Sequence, residues 1–249
     1  MKNIKLEIMF NGLNYFGFQK QPDKPTIQGE IENALFKLFN TKIDLIYSGR
    51  TDRGVSAKKM VANFLVDTQI EPIKISFALN QFLPEDIKIL NSSEEKLDFH
   101  SRKSAKNKTY CYSLYVSKIN LPMYVHETMF KTKLNYNKMK QAIKKFKGKH
   151  DFTSFVTPSC EIEDKIRTIS KSKIKRKIEN GITHYKFYFT GNGFLYNQVR
   201  IMVGTIILAG LNKIKPSDIK KIIKGKNRSL AGSVMPPEGL CLENVEYNN

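Results

Sequence analysis

Residues 43–66, IDLIYSGRTDRGVSAKKMVANFLV, contain the most informative local pattern of this 249-residue sequence. Two segments, Ile43 to Tyr47 and Lys59 to Val66, flank a polar loop that contains two glycines. Runs rich in β-branched, aliphatic and aromatic residues, bounded by turn residues, are typical of strands. We therefore expect two strands joined by a tight loop that presents Asp52 between Arg50 and Arg53.

The loop places a carboxylate in a basic neighbourhood. Arg50 and Arg53 favour the ionised form of Asp52. An ionised, positioned carboxylate can attack the anomeric carbon of a sugar, and loss of a nucleobase develops the same oxocarbenium-like charge as glycoside hydrolysis. The alternative is an aspartate that caps the turn and pairs with Arg50, and the loop by itself leaves both interpretations open.

The segments around this loop alternate between strands and helices. An opening strand is predicted by the alternation of Ile4, Leu6 and Ile8 with other residues. Thr26 is suited to be the N-cap of a helix that runs to Asn40. The apolar face of this helix consists of Ile27, Ile31, Leu35 and Leu38. A second helix from Pro72 to Leu83 and a strand from Ile87 to Leu90 complete an α+β half.

The polar and basic segment from Asp98 to Lys108 separates this half from a second one. We predict an N-terminal α+β half at 1–105, which carries the Asp52 loop, and a C-terminal α+β half at 106–249. The second half starts with a strand from Thr109 to Val116, and Asn180-Gly181 predicts a hairpin between two long strands. Its predicted helices are one with Met139, Ile143 and Phe146 on one face, a mainly apolar one from Tyr196 to Leu211, and a short one from Ser217 to Lys224.

The charge of the chain points to a polyanionic partner. Lysine and arginine number 42 against 23 acidic residues, which gives a formal net charge of +19. Such a charge favours nucleic acid as a partner, and the alternative is a lysine-rich composition that only maintains solubility. The stretch Lys171 to Lys177 has the same two interpretations, an RNA-binding track or a solvated strand face.

Several function classes are disfavoured by the residue pattern. The three cysteines lie far apart without a Cys-x-x-Cys pair, which argues against a disulfide framework and a zinc site and favours a reducing cytoplasm. The four histidines lack metal-ligand spacing, and Gly191-Asn192-Gly193 lacks the rest of a nucleotide fingerprint, so no metal and no cofactor are expected. The longest apolar run, Ile201 to Leu211, is too short to span a bilayer, and no export signal opens the sequence.

Eight separated segments carry a specific pattern nearly from end to end of the sequence. One is the loop Gly49 to Ala57. The others are Tyr15 to Gln19, Thr26 to Glu30, Phe99 to Arg102, Lys108 to Tyr112, His150 to Phe155, Phe194 to Arg200 and Pro237 to Leu242. Each segment is weak alone, but in their joint order they resemble the tRNA pseudouridine synthase A (TruA) family, whose signature loop Gly49 to Ala57 matches.

The resemblance implies a cofactor-free isomerase that converts uridine to pseudouridine at nucleotides 38, 39 and 40 of tRNA. By this resemblance, Asp52 is the catalytic aspartate and Arg200 pairs with it. Tyr110 packs on the uracil and helps to remove its C5 proton, and Arg50 assists in extruding the target nucleotide. The implied fold is α+β, with two similar halves whose antiparallel sheets, flanked by helices, form a continuous platform with a central basic cleft. Members of the family act as homodimers.

Two departures from the family pattern concern the substrate. Arg53 and Ser56 stand where bacterial members more often have alanine and histidine, and Phe18 stands where the family often has tryptophan. These changes leave open a related enzyme with a different RNA target. Two rival functions are a non-catalytic RNA-binding module of the same fold and a metal-dependent nuclease. The set of Asp52, Tyr110 and Arg200 argues against the first, and the basic surroundings of Asp52 argue against the second.

Overall fold

A computed structural model describes residues 1–248, which fold as two units. The first unit contains residues 1–106 and 241–248, and the second contains residues 107–240. The first begins with β1 (Lys2–Phe10), α1 (Ile27–Phe39), β2 (Ile46–Tyr47), β3 (Ser56–Val66), α2 (Pro72–Asn80) and β4 (Ile87–Glu95). The second contains β5 (Asn107–Val116), β6 (Thr128–Phe130), α3 (Tyr136–Ile143), β7 (Gly148–Asp151), β8 (Ile166–Glu179), β9 (Ile182–Gly191), α4 (Gln198–Gly210) and α5 (Asp218–Gly225). The last strand is β10 (Leu240–Glu246).

In the first unit, β1 pairs in antiparallel orientation with β3 on one side and β4 on the other. Ile4, Leu6 and Ile8 are fully buried, which confirms the predicted alternation of the opening strand. The N-cap of helix α1 is Thr26, whose hydroxyl accepts a hydrogen bond from the amide of Gly29 at 3.3 Å. The predicted N-cap is therefore confirmed.

The C-terminal strand joins the first unit. Cys241 and Leu242 of β10 pair in parallel with Ser56 and Ala57 at the start of β3. The predicted C-terminal half contained all residues from 106 onward. The pairing of β10 with β3 therefore differs from the expected division of the chain. Hydrophobic periodicity indicates that a segment is a strand, but it does not indicate which distant strand pairs with it.

In the second unit, β5, β9, β8 and β7 form successive antiparallel pairs, and β6 adds to β5 in parallel orientation. Asn180 and Gly181 both have positive φ angles, 50° and 76°, and connect β8 to β9. This backbone conformation is the one that a two-residue hairpin turn of type I′ requires. The predicted hairpin is confirmed.

The α+β class is confirmed, while several boundaries differ from the predictions. The helix predicted from Pro72 to Leu83 ends earlier, at Asn80. The helix predicted from Tyr196 to Leu211 begins later, at Gln198. The strand predicted at Ile87 to Leu90 continues to Glu95, since its polar end pairs with β1 although it lacks an apolar alternation. The short strands β6 and β7 were not predicted. Within residues 1–248, no helix is long and apolar enough to cross a membrane.

Candidate active site

The loop that carries Asp52 lies between two paired strands of the first unit. Ile46 and Tyr47 of β2 pair in antiparallel orientation with β3, and the amide of Ser48 donates to the carbonyl of Val61 at 2.8 Å. Inside the loop, the amide of Val55 donates to the carbonyl of Asp52 at 3.1 Å. The chain therefore turns tightly just after Asp52.

The segment between β1 and α1 fixes this loop from one side. The amide of Phe18 donates to the carbonyl of Thr51 at 3.1 Å, and the amide of Gly54 donates to the carbonyl of Tyr15 at 3.2 Å. These two backbone hydrogen bonds flank Asp52 in the sequence. Position 52 is thus held from both directions by a second piece of backbone.

Two glycines allow this close approach, and neither was predicted from the sequence as a site residue. A Cβ at Gly12 would lie 2.0 Å from the carbonyl oxygen of Val55, and a Cβ at Gly17 would lie 2.8 Å from the carbonyl oxygen of Thr51. Gly17 also has a φ angle of +95°, which a side chain disfavours. The amide of Gly12 donates to the hydroxyl oxygen of Ser56 at 3.0 Å. Ser56, a departure from the family pattern, therefore takes part in fixing the loop.

Buried aromatic side chains support the same segment. The ring of Phe18 is fully buried and packs 4.7 Å from the ring of Tyr47, just before the loop. Tyr15 donates its hydroxyl to Asp86 at 2.6 Å. Burial, and next the hydrogen bond to Asp86, raise the pKa of Tyr15 well above its ordinary value, so this hydroxyl stays protonated and holds the segment in place.

The charged side chains of the loop differ in exposure. Asp52 is partly buried, whereas Arg50 and Arg53 are exposed. Among residues 1–248, no carboxylate lies within 4.0 Å of either guanidinium group. The turn-capping ion pair between Asp52 and Arg50, which was the alternative interpretation, is therefore not formed.

The second unit contains the other two predicted site residues. Tyr110 lies on β5 opposite Phe189 of β9, and only 9% of its surface is exposed. Its ring meets the ring of Phe194 edge to face, with 5.2 Å between the centroids. Edge-to-face packing of this kind favours a fixed orientation of the Tyr110 ring.

Arg200 lies in the first turn of α4, and two neutral acceptors fix its guanidinium group. Its Nε donates to the carbonyl of Met235 at 2.6 Å, and its Nη1 donates to Oδ1 of Asn197 at 2.6 Å. Asn197 has a left-handed backbone with a φ angle of 59°. These two hydrogen bonds hold the guanidinium group in a defined orientation.

A close approach of two chain segments brings Met235 to Arg200. A Cβ at Gly204 of α4 would lie 2.1 Å from the carbonyl oxygen of Ser233, so only glycine fits there. Farther along the same segment, the buried hydroxyl of Tyr112 donates to the carbonyl of Pro236 at 2.9 Å. Burial raises the pKa of Tyr112 above its ordinary value, which keeps this donor protonated.

The motif Pro237 to Leu242 contains Gly239, which packs tightly against β5. A Cβ at Gly239 would lie 2.6 Å from the carbonyl oxygen of Ser113 and 2.8 Å from the ring of Tyr112. This contact explains why a small residue is required at that point of the motif. The motif therefore supports the segment that orients Arg200.

Each unit contains two of the four predicted site residues. Arg50 and Asp52 share a loop of the first unit, while Tyr110 and Arg200 belong to β5 and α4 of the second. Among residues 1–248, no cluster of three or more histidine, cysteine or acidic side chains has the arrangement of a metal site. His100 and His150, the two histidines within the segments that resemble the family, contact nearby backbone. The amide of Arg102 donates to His100 Nδ1 at 3.2 Å, and His150 Nε2 lies 3.1 Å from the carbonyl oxygen of Lys147.

Comparisons with known proteins match nearly the whole chain. A sequence profile described as tRNA pseudouridine synthase matches residues 8–102 and 142–248. A tRNA pseudouridine synthase A from Clostridium acetobutylicum is 44% identical over 99% of this chain and 100% of its own length. One from Caldicellulosiruptor saccharolyticus is 43% identical with the same coverage. A protein named tRNA pseudouridine synthase A 2 from Clostridium perfringens is 42% identical, again over 99% of this chain and all of its own length.

Proposed function

Because this chain belongs to the tRNA pseudouridine synthase family, we propose that it is an isomerase that converts uridine to pseudouridine in tRNA. The observation that carries the proposal is the loop around Asp52. Backbone hydrogen bonds fix the residues on both sides of Asp52, and two exposed arginines flank it. This arrangement suits an ionised carboxylate that acts on a nucleotide in a polyanion.

Asp52 acts at the sugar of the target uridine. The bond between N1 and C1′ breaks, the uracil turns, and C5 forms a bond to C1′. The C5 proton then leaves to a base and N1 gains a proton, so the product is an isomer of the substrate. Direct attack on C1′ and removal of a sugar proton both require Asp52 in its ionised form, which the neighbouring arginines favour.

The other three residues assist Asp52. By family resemblance, Arg200 pairs with the Asp52 carboxylate, and Met235 and Asn197 orient its guanidinium group. Tyr110 stacks on the extruded uracil and takes or relays the C5 proton. Arg50, which is exposed, binds the backbone of the target nucleotide while that nucleotide leaves the helical stem.

The target positions are nucleotides 38, 39 and 40 in the anticodon stem-loop, and the enzyme acts as a homodimer in the cytoplasm. Family resemblance supports these finer assignments. The resemblance also implies a reaction without a metal or a nucleotide cofactor, and the basic surroundings of Asp52 disfavour a divalent cation there.

Chemical mapping of pseudouridine across total RNA tests this function directly. RNA from cells with and without the gene should differ at nucleotides 38 to 40 of several tRNAs. Sites that disappear only from another RNA would instead identify a related enzyme with a shifted target, and an unchanged map would contradict the proposal.

Gly17→Ala is expected to lower turnover about tenfold, because the new Cβ would push against the carbonyl of Thr51 and displace Asp52. The matched control is Gly181→Ala. Gly181 has a comparable φ angle of +76°, but a Cβ there meets nothing within 4 Å. Both variants should lose about 1–2 kcal/mol of stability from backbone strain, and only Gly17→Ala should lose activity. Denaturant unfolding and single-turnover assays measure the two effects, and equal activities would contradict the account.

The lysine stretch of β8 gives a prediction about RNA capture. Lys171, Lys173 and Lys175 are exposed and alternate with Ser172 and Ile174, and the hydroxyl of Ser172 donates to the carbonyl of Ile143 in α3. The ammonium groups of Lys173 and Lys175 lie 5.2 and 5.8 Å from the centroid of the Tyr188 ring. Lys175 is paired in register with Lys186 of β9, so this face concentrates positive charge beside an aromatic ring. Both features suit an RNA backbone with unpaired bases.

Neutralising Lys173, Lys175 and Lys186 together should flatten the dependence of tRNA affinity on salt by about two to three units of log-log slope. Arg176 is the control, because it points to the other face and lies 4.9 Å from the ring of Tyr136 in α3. Arg176→Gln should leave the slope near that of the wild type. An unchanged slope in the triple variant would mean that these lysines form only a solvated face.

A further inference from the structure

The ring of Phe16 holds two cations next to the loop that carries Asp52. The guanidinium carbon of Arg53 lies 4.3 Å from the ring centroid, and the ammonium of Lys24 lies 5.0 Å from the same centroid. Arg53 follows Asp52 directly in the chain. The two cations, Phe16 and Asp52 therefore belong to one small region of the first unit.

Backbone contacts hold this ring in place. The amide of Phe16 donates to the carbonyl of Pro25 at 2.9 Å, and the side chain of Gln21 donates to the carbonyl of Phe16 at 2.7 Å. The next residue is Gly17, which anchors the segment against Thr51. A ring fixed in this way limits the positions that the guanidinium group of Arg53 can adopt.

Within residues 1–248, neither cation of this cluster forms an ion pair with a carboxylate. Both side chains are exposed, and no carboxylate within residues 1–248 approaches either cation to 4.0 Å, including their chain neighbours Asp23 and Asp52. Since both cations contact one ring, their separation stays within the Debye length of about 10 Å at 0.1 M salt, and they repel each other. A bound anion would relieve this repulsion.

Resting on the proposed function, we infer that Arg53 and Lys24 bind a phosphate group that flanks the target uridine. A nucleotide whose C1′ reaches Asp52 brings its own two phosphates close to residue 53. The planar guanidinium group of Arg53 suits a two-pronged hydrogen bond to phosphate, and Phe16 orients it in advance. An alanine at position 53, which bacterial members of the family more often have, could make no such contact.

The test compares Arg53→Ala with wild type on tRNA of natural backbone and on tRNA with one neutral methylphosphonate linkage, placed either 5′ or 3′ of the target uridine. With natural tRNA, Arg53→Ala should raise Kd and KM about tenfold and lower the salt slope by about one. Arg53→Lys should restore part of the affinity. Lys37→Ala, which removes an exposed lysine from α1, is the control and should behave as wild type.

The neutral linkage shows whether Arg53 acts on that phosphate. Wild type should lose affinity when one of the two flanking linkages is neutral, and Arg53→Ala should be insensitive to the same change. Equal sensitivity of wild type and Arg53→Ala at both linkages would overturn this inference. Kd reports binding alone, and pseudouridine formation is measured separately. A wild-type protein that binds tRNA but forms no pseudouridine would therefore contradict the proposed function and not this inference.

Discussion

Asp52→Asn is expected to lower the rate of pseudouridine formation by about 10⁴-fold or more, while tRNA binding survives. Asparagine has nearly the shape of aspartate but carries no negative charge, so it can neither attack C1′ nor accept a sugar proton. The backbone hydrogen bonds that fix the loop involve the main chain and should persist in the variant. Binding depends mainly on the cations around the loop, which this substitution leaves in place.

Single-turnover release of tritium from C5-labelled uridine in tRNA, together with a filter-binding Kd, measures both expectations. Asp44→Asn is the matched control, because it removes an exposed carboxylate in the segment just before β2. The control should turn over tRNA at the wild-type rate. A near-normal rate for Asp52→Asn would show that another group performs the chemistry.

Tyr110→Phe is expected to slow the release of the C5 proton by about 10²-fold. After C5 bonds to C1′, C5 carries both its original hydrogen and the sugar, and recovery of the aromatic ring requires a base. The variant keeps the ring, whose orientation the edge-to-face contact with Phe194 supports, so stacking on the uracil should continue. Affinity for tRNA should therefore change little.

Tyr115→Phe is the control for loss of a buried tyrosine hydroxyl on the same strand. The hydroxyl of Tyr115 donates to Asn120 at 2.7 Å and accepts from the amide of Leu121 at 2.9 Å. Removing it should cost about 1 kcal/mol of stability without a specific effect on proton release. If Tyr110→Phe also releases tritium at the wild-type rate, the C5 proton leaves by another route and Tyr110 only stacks.

The parts of the fold that sequence alone predicted are those that local patterns determine. Ile4, Leu6 and Ile8 alternate because one face of β1 is buried, and Asn180-Gly181 adopts the two positive φ angles that few other residues tolerate. Thr26 caps α1 through its own side chain. In each of these cases, the residues that carry the signal also make the decisive contact.

Features that depend on distant segments could not be predicted in this way. The parallel pairing of β10 with β3 joins residues that are more than 180 positions apart. The polar end of β4 is a strand only because β1 lies beside it. Periodicity contains no information about either partner.

The candidate site shows the same division. The residues of Gly49 to Ala57 made Asp52 a candidate, and the family resemblance selected it. Gly12 and Gly17 acquire their meaning only where another piece of backbone approaches within van der Waals distance. The cluster of Arg53 and Lys24 on Phe16 also needed coordinates, because its members lie in two separate segments. The only sequence signal for these features is Gly17, which stands between the aromatic residues Phe16 and Phe18.

The most direct test of the central claim is to incubate the purified protein with refolded tRNA transcript and to map pseudouridine at single-nucleotide resolution. A chelator and the absence of any nucleotide cofactor define the conditions, and Asp52→Asn protein serves as the comparison. We predict modification at one or more of nucleotides 38 to 40 by the wild type and none by the variant. Unmodified tRNA after incubation with well-folded wild-type protein that binds it, or equal modification by both proteins, would contradict the claim.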